Sequence, residues 1–230
     1  TLTWKQKFNK IHDVNIMIGQ EYVASNSESN EMIGKFFQED ITPEKMFASM
    51  AANSGATGSR TISSQLGQED RTISFFGRAN YSLMDRYLLT FTIRADGSSK
   101  FTKGNRWGYF PAAAFAWRII EEPFMEPVKE FMSNLKLRLS YGTAGNNRIG
   151  NSLYETSYKA YSSGKYYGAG GEQNPHYTLN NEQLANPDLK WETTITRNIG
   201  LDFGFFNERL TGNIDYYWNT VKDLLIEQSI

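Results

Sequence analysis

In the stretch RTISFFGRANYSLMDRYLLTFTIR, residues 71–94, side-chain character reverses at almost every step. Ile73, Phe75, Ala79, Tyr81 and Leu83 are apolar, while Thr72, Ser74, Arg78, Asn80 and Ser82 are polar. After Met84-Asp85-Arg86, Tyr87, Leu89, Phe91 and Ile93 repeat the apolar set against Thr90, Thr92 and Arg94. A period of two belongs to a β-strand with one apolar and one polar face, because successive side chains point to opposite sides. Two such runs joined by a minimal connection predict a hairpin, and their length of about ten residues is the span of a tilted strand crossing a bilayer.

The same alternation recurs along the chain and predicts about eight strands in all. Strands are expected over 1–10 and 12–24, around a turn at Lys10–Asp13, then over 71–83, 86–96, 107–119, 135–143, 189–205 and 209–226. Arg197 falls among the apolar positions of its strand, and either a bulge or a position at the rim of the sheet would accommodate it. Connections alternate between short (10–13, 84–86, 206–209) and longer (25–70, 97–106, 144–187), as the turns and loops of outer-membrane barrels do. Within 25–70, Thr42 is placed to cap a short helix that starts at Pro43. The medium connection EEPFMEPVKEFMSN has a spacing of Phe124, Val128, Phe131 and Met132 that suggests a short amphipathic helix or turn folded under the rim.

A net charge of −1 gives no general attraction to nucleic acid or anionic lipid, and no nucleic-acid partner is expected. The absence of Cys rules out disulfides and thiolate metal sites, and two isolated histidines make a metal centre a poor expectation, so neither cofactor nor metal is assigned. No apolar run is long enough for a membrane helix. A mean hydropathy of −0.53 with 14% aromatic residues suits a membrane barrel, in which only alternate residues meet lipid. The opening residues contain no leader, so the expectation at this point is either a cytoplasmic protein or an internal piece of something longer. A soluble sandwich or barrel alternates in the same way, and the period alone leaves both open.

Four blocks go further: RTISFFGRANYSLMDRYLLTFTIRADGSSKF, NRWGYFPAAAFAWRI, LKLRLSYGTAGNNRIGN and NPDLKWETTITRNIGLDFGFFNERLTGNIDYYWNTVKDLL. Their order and spacing resemble the barrel of a SusC/RagA-type TonB-dependent outer-membrane transporter. The resemblance implies an all-β fold, part of a 22-stranded antiparallel barrel with long extracellular loops and short periplasmic turns. It implies that plug domain and TonB box lie outside this chain. The implied activity is import of glycans or peptides, and the implied partners are a SusD-like surface lipoprotein, the TonB complex and outer-membrane lipid of a Gram-negative bacterium. The alternative is a self-contained carbohydrate-binding β-barrel or sandwich.

No nucleophile and base fall together in a catalytic pattern, and no enzyme is expected. Glu121-Glu122 reads as a solvated charged rim. Asp96-Gly97-Ser98-Ser99 reads as a structural turn rather than a calcium loop, since further carboxylates are missing. Candidate contacts to an oligosaccharide or peptide substrate, or to the lid protein, lie in loop 144–187: Asn146, Asn147, Tyr161, Tyr166, Tyr167, Asn174 and Tyr177. Tyrosine rings stack on sugars, and asparagine amides pair with hydroxyls or peptide groups. Arg78, Arg94, Arg118 and Arg138 occupy polar faces of consecutive strands and are candidates to face the lumen and hold a plug. Trp107, Tyr109 and Trp191 are expected in an outer aromatic girdle.

Overall fold

The computed structural model describes residues 1–35, 37, 42–48, 60–160, 177–179 and 184–226. The chain forms two units, one of Thr1–Val23 with Arg71–Ile230 and one of Ala24–Asp70. In chain order the strands are β1 (Leu2–Phe8), β2 (His12–Ser25), β3 (Glu28–Gly34) and β4 (Arg60–Leu66). There follow β5 (Asp70–Leu83), β6 (Tyr87–Ser98), β7 (Trp107–Arg118) and β8 (Met132–Asn146). The last are β9 (Tyr158–Ala160), β10 (Tyr177–Leu179), β11 (Glu192–Phe205) and β12 (Leu210–Lys222).

Among the described residues eight of these strands make one sheet, in the order β1-β2-β5-β6-β7-β8-β11-β12. Each strand lies beside its predecessor in the sheet's own sequence, which is an up-and-down meander. The outward rows run straight across it: Leu89, Phe115, Leu139, Ile199 and Tyr216 are successive cross-strand partners. This apolar face is bare. Leu89 is 47% exposed, Ile199 45% and Tyr216 67%, where a sandwich would bury such a face against a second sheet. Polar side chains occupy the other face. The arrangement inverts a soluble protein and matches a wall with lipid outside and water inside. At β1 and β12 the sheet ends in edges, and it does not close among the described residues.

Short turns join the strands at one end. Asn9 and Lys10 (φ 48° and 58°) and Met84 and Asp85 (53° and 55°) are consecutive left-handed pairs, and Phe206, Asn207 and Glu208 (55°, 55° and 63°) form a left-handed run of three. Such pairs build turns whose twist matches that of the flanking strands. The first turn is closed by Ile11 N–H donating to Phe8 O at 3.1 Å. It is therefore centred on Asn9-Lys10 rather than spanning Lys10–Asp13, and β1 stops at Phe8. Backbone bonds also tie one turn to the next: Met84 N–H to Ile11 O at 2.7 Å, Arg118 N–H to Arg86 O at 2.8 Å, and Phe206 N–H to Phe131 O at 3.0 Å.

The connection between β7 and β8, expected as a short helix or turn, forms two short 3-10 helices, Ile119–Glu121 and Pro123–Val128. Pro127 lacks the N–H an α-helix needs, and Phe124 is 64% exposed. Phe131 packs on Phe205 and Phe206, with ring centroids at 5.2 and 4.9 Å. The stretch expected as loop over 25–70 contains a hairpin, β3 paired with β4 from Glu28↔Leu66 to Gly34↔Arg60. It also contains a helix, α1 (Pro43–Ala48), whose Lys45 N–H reaches Thr42 Oγ1 at 3.5 Å. In the stretch expected as loop over 144–187, β9 and β10 pair.

The small buried cluster lies against the polar face at the loop-bearing end. Phe110, register partner of Arg94, packs edge-on against Trp191 at 5.5 Å, and Phe101 lies 5.4 Å from the same indole. Ile149 and Leu189 close around them. Trp191 is thus a mouth-core residue and not part of the outer girdle. Its indole N–H donates to Arg106 O at 2.8 Å. Trp107 and Tyr109 are exposed on the outer face, with Trp107 stacked on Phe75 at 6.2 Å.

Candidate functional site

The inner face carries two charge networks, each built by residues on different strands that the alternation turns the same way. In the first, Arg94 Nε donates to both oxygens of Asp96 at 2.7 and 2.9 Å. Its Nη2 donates to Glu21 at 2.9 Å and to Ser74 Oγ at 2.9 Å, so β2, β5 and β6 are joined. The same guanidinium lies 5.7 Å over the Phe76 ring. In the second, Arg138 on β8 takes Asp202 on β11 through Nε and Nη2, at 3.0 and 2.7 Å. Its Nη2 also reaches Asp215 on β12 at 3.0 Å. Asn198 and Asn213 donate to Asp215 at 3.2 and 2.8 Å, and Lys136 stands 3.9 Å from Asp202. Arg138 can cross β11 because Gly200 is under it: a Cβ there would lie 2.8 Å from the guanidinium carbon.

The four arginines expected to face a plug differ. Arg94 and Arg138 are engaged by carboxylates of the wall itself. Arg118 sits at the short-turn end, pairing with Glu121 at 2.9 Å and donating to Asp85 O at 3.2 Å. Arg78 Nε donates to Thr92 Oγ1 at 3.2 Å, and among the described residues no carboxylate pairs with it.

At the loop-bearing end, Asn146 Nδ2 donates to Glu192 at 3.0 Å, while its Oδ1 accepts from Arg148 N–H at 3.0 Å. Asn147 Nδ2 donates to Ser98 Oγ at 3.2 Å. Glu192 also accepts from Leu225 N–H at 2.9 Å. The two asparagine side chains thus fasten the base of loop 144–187, Asn146 to β11 and Asn147 to β6, and Glu192 ties in the segment after β12. Asp96 and Ser98 belong to strand β6 rather than to a turn, and both are buried. Gly97 between them is a close approach: the Trp107 ring lies 3.2 Å from where its Cβ would be. Tyr161, Tyr166, Tyr167 and Asn174 lie outside the described residues; for Tyr177 only the backbone strand is described.

The short-turn end holds a group that the sequence disguised. Glu122 is 8% exposed, not solvated. It accepts from Tyr87 Oη at 2.6 Å and from Trp117 Nε1 at 3.0 Å, and pairs with Arg86 at 3.5 Å. The Tyr87 hydroxyl, then the Trp117 indole N–H, then the Arg86 charge hold its carboxyl below the usual carboxylate range.

An open antiparallel sheet with a bare apolar exterior, a charged and hydrogen-bonded interior, tight turns at one end and long loops at the other is a section of a transmembrane β-barrel wall. Residues 4–230 match the family model described as TonB dependent receptor-like, beta-barrel, and the chain belongs to that family of outer-membrane transporters and receptors. It is 47% identical over 154 residues to TonB-dependent receptor SusC of Bacteroides thetaiotaomicron, covering 66% of this chain and 15% of that protein. TonB-dependent receptor P3 of Formosa agariphila is 34% identical over 229 residues, covering 100% of this chain and 21% of that one. Among solved structures, that of the RagAB peptide transporter superposes with a TM-score of 0.78 at 26% identity, over 99% of this chain and 24% of that one. The chain therefore spans between 15% and 21% of the length of these two curated relatives.

Proposed function

We propose that the chain is part of the barrel of an active importer, which takes up oligosaccharides or peptides captured with a SusD-like surface lipoprotein and is energised by TonB from the periplasm of a Gram-negative bacterium. The observation that carries this reading is the 47% identity with receptor SusC over 154 residues. The peptide alternative draws on the likeness to the RagAB transporter. In this reading the wall contributes shape and a wet, charge-paired lining, and recognition falls to the mouth. Loop 144–187, fastened at its base by Asn146 and Asn147, presents Tyr161, Tyr166, Tyr167, Asn174 and Tyr177 to substrate or lid. Of the four lumen arginines, Arg78 is the best placed to hold a plug carboxylate, since its charge has no wall partner among the described residues. Uptake of labelled oligosaccharides and oligopeptides by cells carrying the intact transporter tests the proposal. Uptake of one class should vanish on deletion of the lipoprotein or of TonB. Undiminished uptake in both deletions sinks it. A photocrosslinker at position 78 should capture the plug; no adduct there removes the assignment of Arg78.

A further inference from the structure

Along the eight strands of the sheet, the outward positions hold Arg71, Arg197 and Lys222 and no Asp or Glu. All the strand carboxylates are turned inward or sit at strand ends. Arg71, second in β5, and Lys222, last in β12, lie at the loop-bearing ends of their strands, whereas Arg197 stands within β11, nearer Glu192 than Phe205. The register is unbroken there, with Arg197 opposite Tyr141 on one side and Trp218 on the other, so no bulge turns it away. Its guanidinium lies 5.8 Å over the Tyr141 ring and 5.9 Å over that of Trp218. One N–H donates to Thr220 Oγ1 at 3.3 Å, and among the described residues no carboxylate neutralises it.

Beside this cation the exterior is grooved. Ala113 separates Phe91 from Tyr141 in the same row, and the gap opens a shallow apolar groove of about 640 Å³ bounded by Phe115 and Leu139, with Arg197 and Trp218 among its walls. Tyrosine and tryptophan occupy the headgroup level of a bilayer, and a cation on the lipid face is tolerated at that level far better than at the midplane. The aromatic faces fix the guanidinium plane and leave most of its five N–H groups undirected. A phosphate oxygen pair fits that edge as a fork.

We propose that Arg197 and the adjoining groove bind a phosphorylated membrane lipid on the outside of the wall, with the phosphate on the guanidinium and an acyl chain laid over Ala113. Charge complementarity selects this occupant: an unneutralised cation on a face without carboxylates, at the head of an apolar channel. A neutral lipid leaves the cation unanswered, and a protein partner gains nothing from a groove one chain wide. The inference rests on the barrel-wall reading of the fold and not on import.

The test uses the intact transporter in neutral detergent, mixed with lipid A or with the same lipid stripped of its phosphates, and read by native mass spectrometry. The parent should bind the phosphorylated form about tenfold more tightly, the size of one charge-assisted contact. R197Q should abolish that preference and R197K keep part of it. A113F, which fills the groove floor, should weaken binding of both lipids. Folding of each variant is checked by heat-dependent electrophoretic mobility, and A113F and R197K carry the test if R197Q does not fold. Equal binding of the two lipids by the parent, a preference unchanged in R197Q, or lipid A binding unaltered in folded A113F each overturns the proposal. A parent that keeps the lipid preference but shows no TonB-dependent uptake would sink the importer reading alone.

Discussion

A Cβ on Gly200 would stand 2.5 Å from Asp215 Oδ1, inside the ion pair that crosses from β8 to β12. At this position the missing side chain is what lets one arginine serve two carboxylates on two strands. Glu122 shows the opposite economy, one carboxylate serving three donors from β6, β7 and the turn between β5 and β6. Because its folded pKa lies below the unfolded one, the unfolded chain binds more protons at pH values between the two. Its stabilisation is therefore present above the ordinary carboxylate range and is lost as pH falls through the folded value. Glu122→Gln should lower the unfolding temperature of the intact protein at about pH 7, and the gap to the parent should narrow at about pH 3. Thermal scans followed by tryptophan fluorescence measure this, and a gap independent of pH would remove the assignment.

On the scale of a strand, one step along the chain exchanges lipid for water. Leu139 faces outward between Phe115 and Ile199, and Ser140 faces inward. Leu139→Arg, one row further from the loop-bearing end than Arg197, should destabilise the barrel by about 1–2 kcal/mol, between the interfacial and midplane costs of a cation on the lipid face, while Ser140→Arg should change stability by less than about 0.5 kcal/mol. Urea unfolding in detergent measures both, and equal effects would refute the assignment of faces. The same alternation made β5 to β8, β11 and β12 legible from the sequence, because the apolar set occupies one parity over a dozen residues. It failed where parity carries no message. The strands ESNEMIG and RTISSQL carry too few apolar residues to set a parity, so β3 and β4 look like loop until they are seen paired. Trp191 precedes the first residue of β11, so its odd number did not direct its side chain outward. Glu122 was hidden because its burial depends on Tyr87, 35 positions back. Asn146 and Asn147 have the composition of a binding loop, and only the partners brought by β6 and β11 reveal them as fasteners.

At the scale of the molecule, the sheet presents two edges, β1 and β12, each with a row of backbone groups unpaired in the chain as described. If the chain serves in a closed barrel, those amides should exchange with deuterium as slowly in the intact transporter as the amides of β6 and β7. In the 230-residue chain folded alone in detergent, they should exchange fast while β6 and β7 stay protected. Rapid exchange at both edges of the intact protein would mean that neither edge has a neighbour. The backbone bonds from Ile11 to Met84, Arg86 to Arg118 and Phe131 to Phe206 run across the strands at the short-turn end of the sheet. A pull on any one turn is thus shared with its neighbours instead of peeling one hairpin open. That end of the wall is bound as a ferrule binds, each turn held by the next.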